Sequence, residues 1–480
     1  MSLTPVPASS FRVALIYPTI KEATGGCSPP YALLGLATVL RDAGIGVRLF
    51  DIDAFKGDRA ALVHAVVAYD PSLLGLPVFY NTYDDTAATL RELRKAEVSC
   101  PIVLGGPEVT ADPETVHADF PDVPYVLAGE SEWTLRTLAE RLRAQQDTDD
   151  IPGLGFQKGA SWVMNCVAPF TGLDQVPYPD RGLLGEAYTQ GTYWRLGQRG
   201  TTDIIVSSRG CPFACRFCFK VTRKTSLRPS ASIHAEIEHI RSLGTRNIMF
   251  QDDLFVSSLK RVKAVLDPID PGWGIHFKVR ARVDTINDDI CAYLVSKGVT
   301  GVAVGFESGS DRMLSLMGKK TTVATNYRAM EIMQRHGLKV FADIFFMYPG
   351  EDMETAKETI DFIFRSKPTY VNWGMFIPLP GTPITQELQA KGLIKGRFGV
   401  GQRPRVIYDY LTDSQRVELN QYITSNMRRY NASLRHVVLP NLVDIVTTAG
   451  PRQYHILRDL YWKRYRPQWL STLRRKSLCS

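Results

Sequence analysis

Three cysteines stand close together in the middle of the chain, as Cys211-Pro-Phe-Ala-Cys215-Arg-Phe-Cys218. Three thiolates on one short loop can hold three corners of a cubane iron–sulfur cluster and leave the fourth iron open to a small molecule. A structural zinc site is the alternative, but it needs a fourth ligand, and the next histidines are His234 and His239. The five other cysteines are scattered, so the grouping indicates a metal site rather than a disulfide framework.

Charged residues follow or end apolar runs downstream of the cysteines. Asp252 and Asp253 follow the second run, Arg280 and Arg282 lie on the third, and Glu307 ends the fourth. A carboxylate can pair with an ammonium group, and an arginine fork matches a carboxylate. Asp252, Asp253 or Glu307 alone can also be explained as a helix cap or a structural ion pair. Their order at successive strand ends favours one shared site.

Glycine-rich turns follow two apolar runs in the first part of the chain, Val103-Leu-Gly-Gly-Pro-Glu108 and Ala128-Gly-Glu-Ser-Glu132. Paired glycines after a strand let the backbone approach a flat ligand closely. For Gly105-Gly106 the alternative is a generic tight turn between a strand and a helix.

The elements that must position these residues form two α/β units. Residues 10–145 alternate short apolar strands with helices, which predicts a doubly wound, Rossmann-like domain with ligands at the carboxyl ends of its strands. The predicted strands are 12–17, 47–50, 73–79, 102–104 and 125–127. The predicted helices include 31–42, 84–95 and 132–142.

A second α/β unit follows a linker. Residues 146–200 carry Gly/Pro turns and a hairpin pattern near Lys158-Gly159, which predicts a linker over the surface of its neighbours. Six strand–helix repeats in residues 201–392 predict a partial (β/α)6 barrel, with reactive groups at the carboxyl ends of the strands. The predicted barrel strands are 203–207, 247–251, 276–281, 301–306, 340–346 and 371–376. A mostly helical C-terminal accessory region is predicted for residues 393–480.

The cysteine loop after the first barrel strand resembles that of the radical S-adenosylmethionine (SAM) superfamily. The resemblance implies a [4Fe–4S] cluster on the three cysteines and SAM bound beside it. It places Phe217 near the adenine, Asp252 or Asp253 on the methionine amino group, Arg280 or Arg282 on the carboxylate and Glu307 on the ribose. The segments 345–350 and 377–382 resemble the ends of the last two barrel strands in this superfamily.

The first domain resembles the cobalamin-binding domain of one large radical SAM branch. The segment 28–35 and the two glycine turns carry the resemblance, which together with the barrel spans roughly residues 10–390. The loops 18–28 and 77–82 contain no histidine, so we expect no imidazole from them on the cobalt. The residues implied to contact cobalamin are Phe79, Asn81, Gly105, Gly106, Glu108, Gly129 and Glu130, with Tyr80 also near the lower face.

These resemblances imply a class B radical SAM methyltransferase, which moves a methyl group from SAM through methylcobalamin to an unactivated carbon of a small-molecule, specialised-metabolite substrate. A cobalamin-dependent cyclase or rearrangement enzyme is the first alternative, and a non-catalytic cobalamin or redox sensor is the second. An electron donor such as flavodoxin or ferredoxin is implied as a partner. The sequence does not name the substrate.

The net charge of +8 is concentrated at the C-terminus. Eight Lys/Arg and one Asp between Arg452 and Ser480 give +7, which leaves +1 for the rest of the chain. This distribution argues against nucleic-acid binding and predicts a tail that contacts an anionic membrane or anionic substrate, or a helix that packs its aromatic residues on the barrel. No secretory signal or membrane-length apolar run is present, so we expect a cytoplasmic protein.

Overall fold

The computed structural model describes residues 11–433, except residues 20–25, 168, 171, 191, 196–200 and 223. The basic tail from Arg452 to Ser480 lies outside these residues, so its anionic partner stays a prediction. Among the described residues, no helix combines the length and the apolar character that crossing a lipid bilayer requires.

The first domain is a sheet covered by helices on both faces. Its strands are β1 (Arg12–Tyr17), β2 (Gly26–Cys27), β3 (Gly46–Asp51), β4 (Leu73–Pro77), β5 (Ile102–Gly105), β6 (Tyr125–Leu127), β7 (Leu154–Lys158) and β8 (Ser161–Met164). Its helices are α1 (Tyr31–Asp42), α2 (Arg59–Tyr69), α3 (Tyr83–Lys95), α4 (Pro107–Ala111), α5 (Pro113–Asp119) and α6 (Glu132–Ala144). The sheet order is β3-β1-β4-β5-β6-β7-β8, and the first five of these strands are parallel.

The hairpin predicted near Lys158-Gly159 forms, but it belongs to the first sheet. Strands β7 and β8 pair antiparallel with each other, and β7 pairs antiparallel with β6. Part of the segment predicted as a linker therefore extends the first domain. The rest contains a 3-10 turn (Arg181–Leu184), the short helix α7 (Glu186–Thr189) and β9 (Trp194–Arg195), which pairs with β2.

The second unit is a six-stranded parallel sheet in the order β10-β13-β14-β15-β16-β17. Its strands and the short hairpin β11–β12 are β10 (Thr202–Ile205), β11 (Ser208–Arg209), β12 (Ser226–Leu227), β13 (Asn247–Phe250), β14 (His276–Arg282), β15 (Val299–Glu307), β16 (Lys339–Phe346) and β17 (Tyr370–Met375). Its helices are α8 (Ser230–Ser242), α9 (Leu259–Leu266), α10 (Asp288–Ser296), α11 (Asp311–Leu316), α12 (Val323–Arg335), α13 (Met353–Ser366) and α14 (Pro383–Ala390). The six strands confirm the partial barrel.

Alternation along each barrel strand separates the core from the site. On β14, Phe277 and Val279 are buried in the cluster beneath the helices, whereas Lys278, Arg280 and Arg282 line an inner cavity. Successive side chains of a strand point to opposite faces. The apolar residues therefore build the barrel wall, and the charged residues between them face the interior.

A strap joins the barrel to the first domain. The strap comprises residues 394–406. It begins with strand β18 (Ile394–Lys395) and ends with strand β19 (Arg405–Val406), which pairs with β18. Phe398 is buried among core residues of the first domain, and Arg403 pairs with Asp84 at 3.0 Å. Helix α15 (Asp413–Asn431) then packs against α13 and β17.

Candidate active site

Asp252 fastens the start of the cysteine loop to the barrel. Its carboxylate accepts hydrogen bonds from the Ser207 backbone N–H at 2.7 Å and from the hydroxyls of Ser207 and Ser208, both at 2.6 Å. Burial raises the pKa of Asp252, and these donors oppose the rise. Both of its oxygens are thus already engaged, although Asp252 also lines the inner cavity.

Gly210 forms the turn that leads into Cys211. Its φ is +83°, and a β-carbon there would lie 2.5 Å from the carbonyl oxygen of Lys224, so only glycine fits. The Gly210 N–H donates to the Asp253 carboxylate at 3.0 Å. Asp252 and Asp253, both predicted to meet the ammonium group of SAM, therefore each hold part of the cysteine loop.

Cys211, Cys215 and Cys218 line one cavity of about 760 Å³, which we call the cysteine cavity. Among the described residues, no three His, Cys, Asp or Glu side chains converge closely enough to hold a single metal ion. A cubane cluster places its irons at separate corners, so its thiolates need not converge on one point. Cys211 is buried, Cys215 is half-buried and Cys218 is exposed, so the three sulfurs span the cavity from its wall to its mouth.

Arg282 supports this loop through several contacts. It forms a bidentate pair with Asp284 at 2.9 and 3.0 Å and donates to the Lys319 carbonyl oxygen at 2.8 Å. Its guanidinium also lies 3.8 Å from the ring centroid of Phe213 and 3.6 Å from the Cys215 sulfur. By contrast, the Arg280 guanidinium reaches Asp343 only at 3.6 Å. Arg280 therefore has the more available fork for a SAM carboxylate.

Glu307 projects into the cysteine cavity from an irregular strand end. The pairing of β15 with β16 shifts register between Gly305 and Glu307, and Glu307 has a φ of +64°. A non-glycine residue held there costs about 1–3 kcal/mol, a strain often found at functional sites. The Glu307 side chain is 12% exposed, and its carboxylate accepts a hydrogen bond from the Lys319 ammonium at 2.6 Å.

Phe217, which the resemblance places near the adenine, lines the same cavity. It meets Phe345 edge-on, with ring centroids 4.7 Å apart. Both rings belong to an aromatic and aliphatic cluster that includes Tyr348 and Phe376. The cluster fixes the orientation of Phe217 and offers a flat apolar surface beside the cysteines.

A second cavity, of about 490 Å³, opens at the carboxyl ends of the first sheet, and we call it the glycine cavity. It extends down between α1 and α6 to Leu15 and Gly75, where an added β-carbon on Gly75 would lie 2.6 Å from the Leu15 side chain. Five predicted cobalamin contacts line it: Phe79, Gly105, Gly106, Gly129 and Glu130. None of the described residues that line it is a histidine.

Glu108 and Asn81 line neither cavity. Asn81 is exposed. Glu108 is buried on the other side of α4, beside Tyr83 and Arg397 of the strap. Burial raises the pKa of Glu108 to about 7, and a hydrogen bond from the Tyr80 backbone opposes the rise. Glu108 therefore supports the loop that carries Phe79 and Tyr80 and does not line the glycine cavity.

Two residues connect the cavities: Tyr80, expected from the sequence only near the lower face of cobalamin, and Arg209, for which the sequence suggested no role. Tyr80 lines the cysteine cavity although its neighbour Phe79 lines the glycine cavity. Arg209, two residues before Cys211, lines the glycine cavity and pairs with Glu130 at 2.8 Å and Glu132 at 2.5 Å. The sequence signal for this pairing is weak, because 77 and 79 residues separate the partners.

A buried ionic network supports the edge of the glycine cavity at Tyr31. Arg228 donates to the Tyr31 hydroxyl at 3.3 Å and pairs with Glu236. Glu236 also pairs with Arg181, which forms a bidentate pair with Asp203 on β10. Burial raises the pKa of Tyr31, so its hydroxyl stays protonated. The network ties the start of α1 to the barrel.

Comparisons with known proteins match both halves. Residues 18–139 match the B12 binding domain, and residues 205–363 match the radical SAM superfamily. An uncharacterized methyltransferase of Pyrococcus horikoshii is 25% identical over 80% of this chain and 84% of its own length. The anaerobic magnesium-protoporphyrin IX monomethyl ester cyclase of Cereibacter sphaeroides is 25% identical over 79% of this chain, which spans 64% of that relative. The radical SAM methyltransferase TsrM of Kitasatospora setae has a TM-score of 0.67 at 21% identity, covering 80% of this chain and 77% of TsrM.

The two matched domains and their cavities define the class of protein: the chain is a cobalamin-dependent radical SAM enzyme. Its cofactors are a [4Fe–4S] cluster, SAM and cobalamin. The residues fit these groups, since three cysteines face one cavity and glycines at the carboxyl ends of the first sheet leave room for a large flat ligand in the other.

Proposed function

We propose that this enzyme is a C-methyltransferase that moves a methyl group from SAM, by way of cobalamin, to an unactivated carbon of a small-molecule, specialised-metabolite substrate. The observation that carries the proposal is the adjacency of the two cavities. Consecutive residues, Phe79 and Tyr80, line the glycine cavity and the cysteine cavity respectively. A substrate carbon held beside Tyr80 would face both cofactor sites.

When bound, the three cofactors supply homolytic cleavage of SAM and a transferable methyl group. The residues of the chain bind the cofactors and the substrate, orient them and exclude water from the site. We assign Cys211, Cys215 and Cys218 to the cluster, and an electron donor such as flavodoxin or ferredoxin would reduce it. We assign SAM contacts to Phe217, Asp252, Asp253, Arg280, Arg282 and Glu307. Of the two arginines, Arg280 is the better candidate for the carboxylate, because Arg282 is already paired with Asp284.

The interior of the barrel leaves room for a small substrate. Ala303 and Gly305 line the cysteine cavity from β15, so this strand adds little side-chain volume there before Glu307. Phe341 and Asn372 line the neighbouring wall of the cysteine cavity. The space beneath SAM is therefore bounded by both aromatic and polar groups, as a small organic substrate requires.

The alternative reaction is cyclisation or rearrangement without methyl transfer. A relative that is named a cyclase supports this alternative, because it matches 79% of this chain, against 80% for the Pyrococcus methyltransferase. Both reactions use the same cofactors, so the protein residues assigned above do not distinguish them. The two reactions differ in their product, which gains a methyl group only in the first.

The test is an anaerobic assay with reductant, cobalamin, methyl-deuterated SAM and a metabolite extract of the producing cells. We expect a product that has gained a deuterated methyl group, with one 5′-deoxyadenosine and one S-adenosylhomocysteine formed for each methyl transferred. A modified product without the label would establish the cyclase alternative. Labelled product without matching 5′-deoxyadenosine would indicate a polar methyl transfer and would overturn the proposal.

A further inference from the structure

Arg209 joins the cysteine loop to the edge of the glycine cavity. Its backbone leads through Gly210 into Cys211, and its guanidinium pairs with Glu130 at 2.8 Å and Glu132 at 2.5 Å. Glu130 follows the left-handed Gly129, and Glu132 is the first residue of α6. The two carboxylates belong to the first domain and the guanidinium to the second, so the contact crosses the domain junction.

Both ends of this contact are held rigidly. On the barrel side, Arg209 pairs in the short hairpin β11–β12, and Asp253 holds the following N–H. The Arg209 guanidinium also lies 5.4 Å from the ring centroid of Phe170. On the other side, Glu132 stands where the positive end of the α6 dipole favours an acid. A shift of the start of α6 would therefore move the cysteine loop with it.

The contact is shielded from solvent. The side chains of Arg209 and Glu130 are 21% exposed and that of Glu132 is 8% exposed. This shielding makes the ion pairs of Arg209 far more sensitive to the loss of one partner than exposed pairs would be.

We propose that Arg209 is a positioning residue that fixes the cysteine loop, and hence the cluster, relative to cobalamin. The inference rests on the proposed cofactor sites but not on which reaction they serve. Other contacts between the domains include the Tyr31–Arg228 contact at the edge of the glycine cavity. They also include the strap pairs Arg397–Asp119 and Arg403–Asp84, which line neither cavity. Those contacts keep the domains assembled when Arg209 is replaced, so its loss changes local spacing and not assembly.

The first test needs no substrate. In protein reconstituted with cluster and cobalamin, the magnetic interaction between the reduced cluster and cob(II)alamin reports their separation in electron paramagnetic resonance (EPR) spectra. We expect Arg209→Ala to retain its iron and cobalamin but to show a weaker and more broadly distributed interaction. Arg209→Lys should restore part of it, and Arg403→Ala, which breaks the strap pair, is the matched control and should match the wild type. An unchanged interaction in fully loaded Arg209→Ala would overturn the inference.

Two milder variants keep the test decisive if Arg209→Ala loads poorly. Glu130→Gln and Glu132→Gln each leave one carboxylate for the guanidinium, and each should give an intermediate broadening. Wild-type spectra in both would overturn the inference. With substrate, we expect Arg209→Ala to form roughly tenfold more 5′-deoxyadenosine per modified product, because small displacements of reacting groups cost catalysis steeply. A cyclised product would contradict the proposed methyl transfer but not the role of Arg209, which the EPR measurement tests separately.

Discussion

The ammonium nitrogen of Lys319 lies 2.6 Å from a carboxylate oxygen of Glu307, inside the cysteine cavity. Both side chains are nearly buried, at 4% and 12% exposed. Lys319 therefore orients the Glu307 carboxylate toward the cavity, where a ribose hydroxyl could donate to it. The pair is a preformed half of the proposed SAM site.

Lys319→Met should weaken SAM binding by about tenfold or more, because it leaves Glu307 a buried acid without its cationic partner. The measurement is the SAM concentration that changes the EPR spectrum of the reduced cluster. The exposed neighbour Lys320 provides the control Lys320→Met. Equal SAM affinity in the two variants would contradict the assignment of Glu307.

Replacing Cys211, Cys215 and Cys218 together by Ala should abolish the cluster. We expect loss of iron and of the absorption at about 400 nm that iron–sulfur charge transfer produces. Cys166 is exposed and lies outside both cavities, so Cys166→Ala serves as the matched control and should keep both signals. Full iron content in the triple variant would place the cluster elsewhere.

Gly106→Ala should impair both folding and cobalamin binding. Gly106 has a φ of +109°, and an added β-carbon would lie 2.9 Å from the Val78 carbonyl oxygen. The backbone strain alone costs about 1–3 kcal/mol, and the clash would shift the loop that ends in Phe79. Gly159→Ala is the control, because Gly159 has a φ of +59° but no atom within 4 Å of an added β-carbon. Equal cobalamin content in the two variants would contradict this reading of Gly106.

The local elements could be predicted from the sequence because they depend on local patterns. The helix predicted for residues 31–42 has those bounds in the structure, since its apolar spacing and the preceding prolines act within the segment itself. The glycines at 105, 106 and 129 were identified for the same reason. Their backbone requirement is local, and they do line the glycine cavity.

Roles that depend on tertiary partners could not be predicted. Glu108 stands two residues after Gly106, but α4 turns it away from the glycine cavity. The charge and position of Arg282 suit a SAM carboxylate, but Asp284, two residues later, pairs with it. The strand pair β7–β8 was recognised as a hairpin, but its edge partner β6 could be found only from the assembled sheet. Sequence spacing does not specify which neighbour a side chain will meet.

The stability of the first domain should depend on pH through Glu108. Burial raises the pKa of Glu108 to about 7 from the usual 4.5, so the fold favours the neutral acid. The unfolded chain ionises first, so stability should fall as pH rises from about 4.5 to about 7 and then level off, by a total of about 3 kcal/mol. The difference in unfolding free energy between the wild type and Glu108→Gln should show this fall, because the contributions of all other titrating groups cancel in the difference.

The exposed Glu114 supplies the control Glu114→Gln, whose difference from the wild type should not change with pH. A flat difference for Glu108→Gln as well would contradict the burial argument.

Cobalamin in this enzyme should carry no histidine nitrogen on its cobalt. None of the described residues lining the glycine cavity is a histidine, and the loops 18–28 and 77–82 contain none. His64 lies on α2, and His117 on α5 stacks on Trp162, with ring centroids 5.0 Å apart. The EPR spectrum of the bound cob(II)alamin should therefore show no splitting from an axial protein nitrogen.

The nucleotide base of cobalamin can itself supply a nitrogen to the cobalt. The same measurement with bound cobinamide, which lacks that base, therefore isolates the contribution of the protein. Nitrogen splitting that persists with cobinamide and disappears in His64→Ala or His117→Ala would refute the prediction.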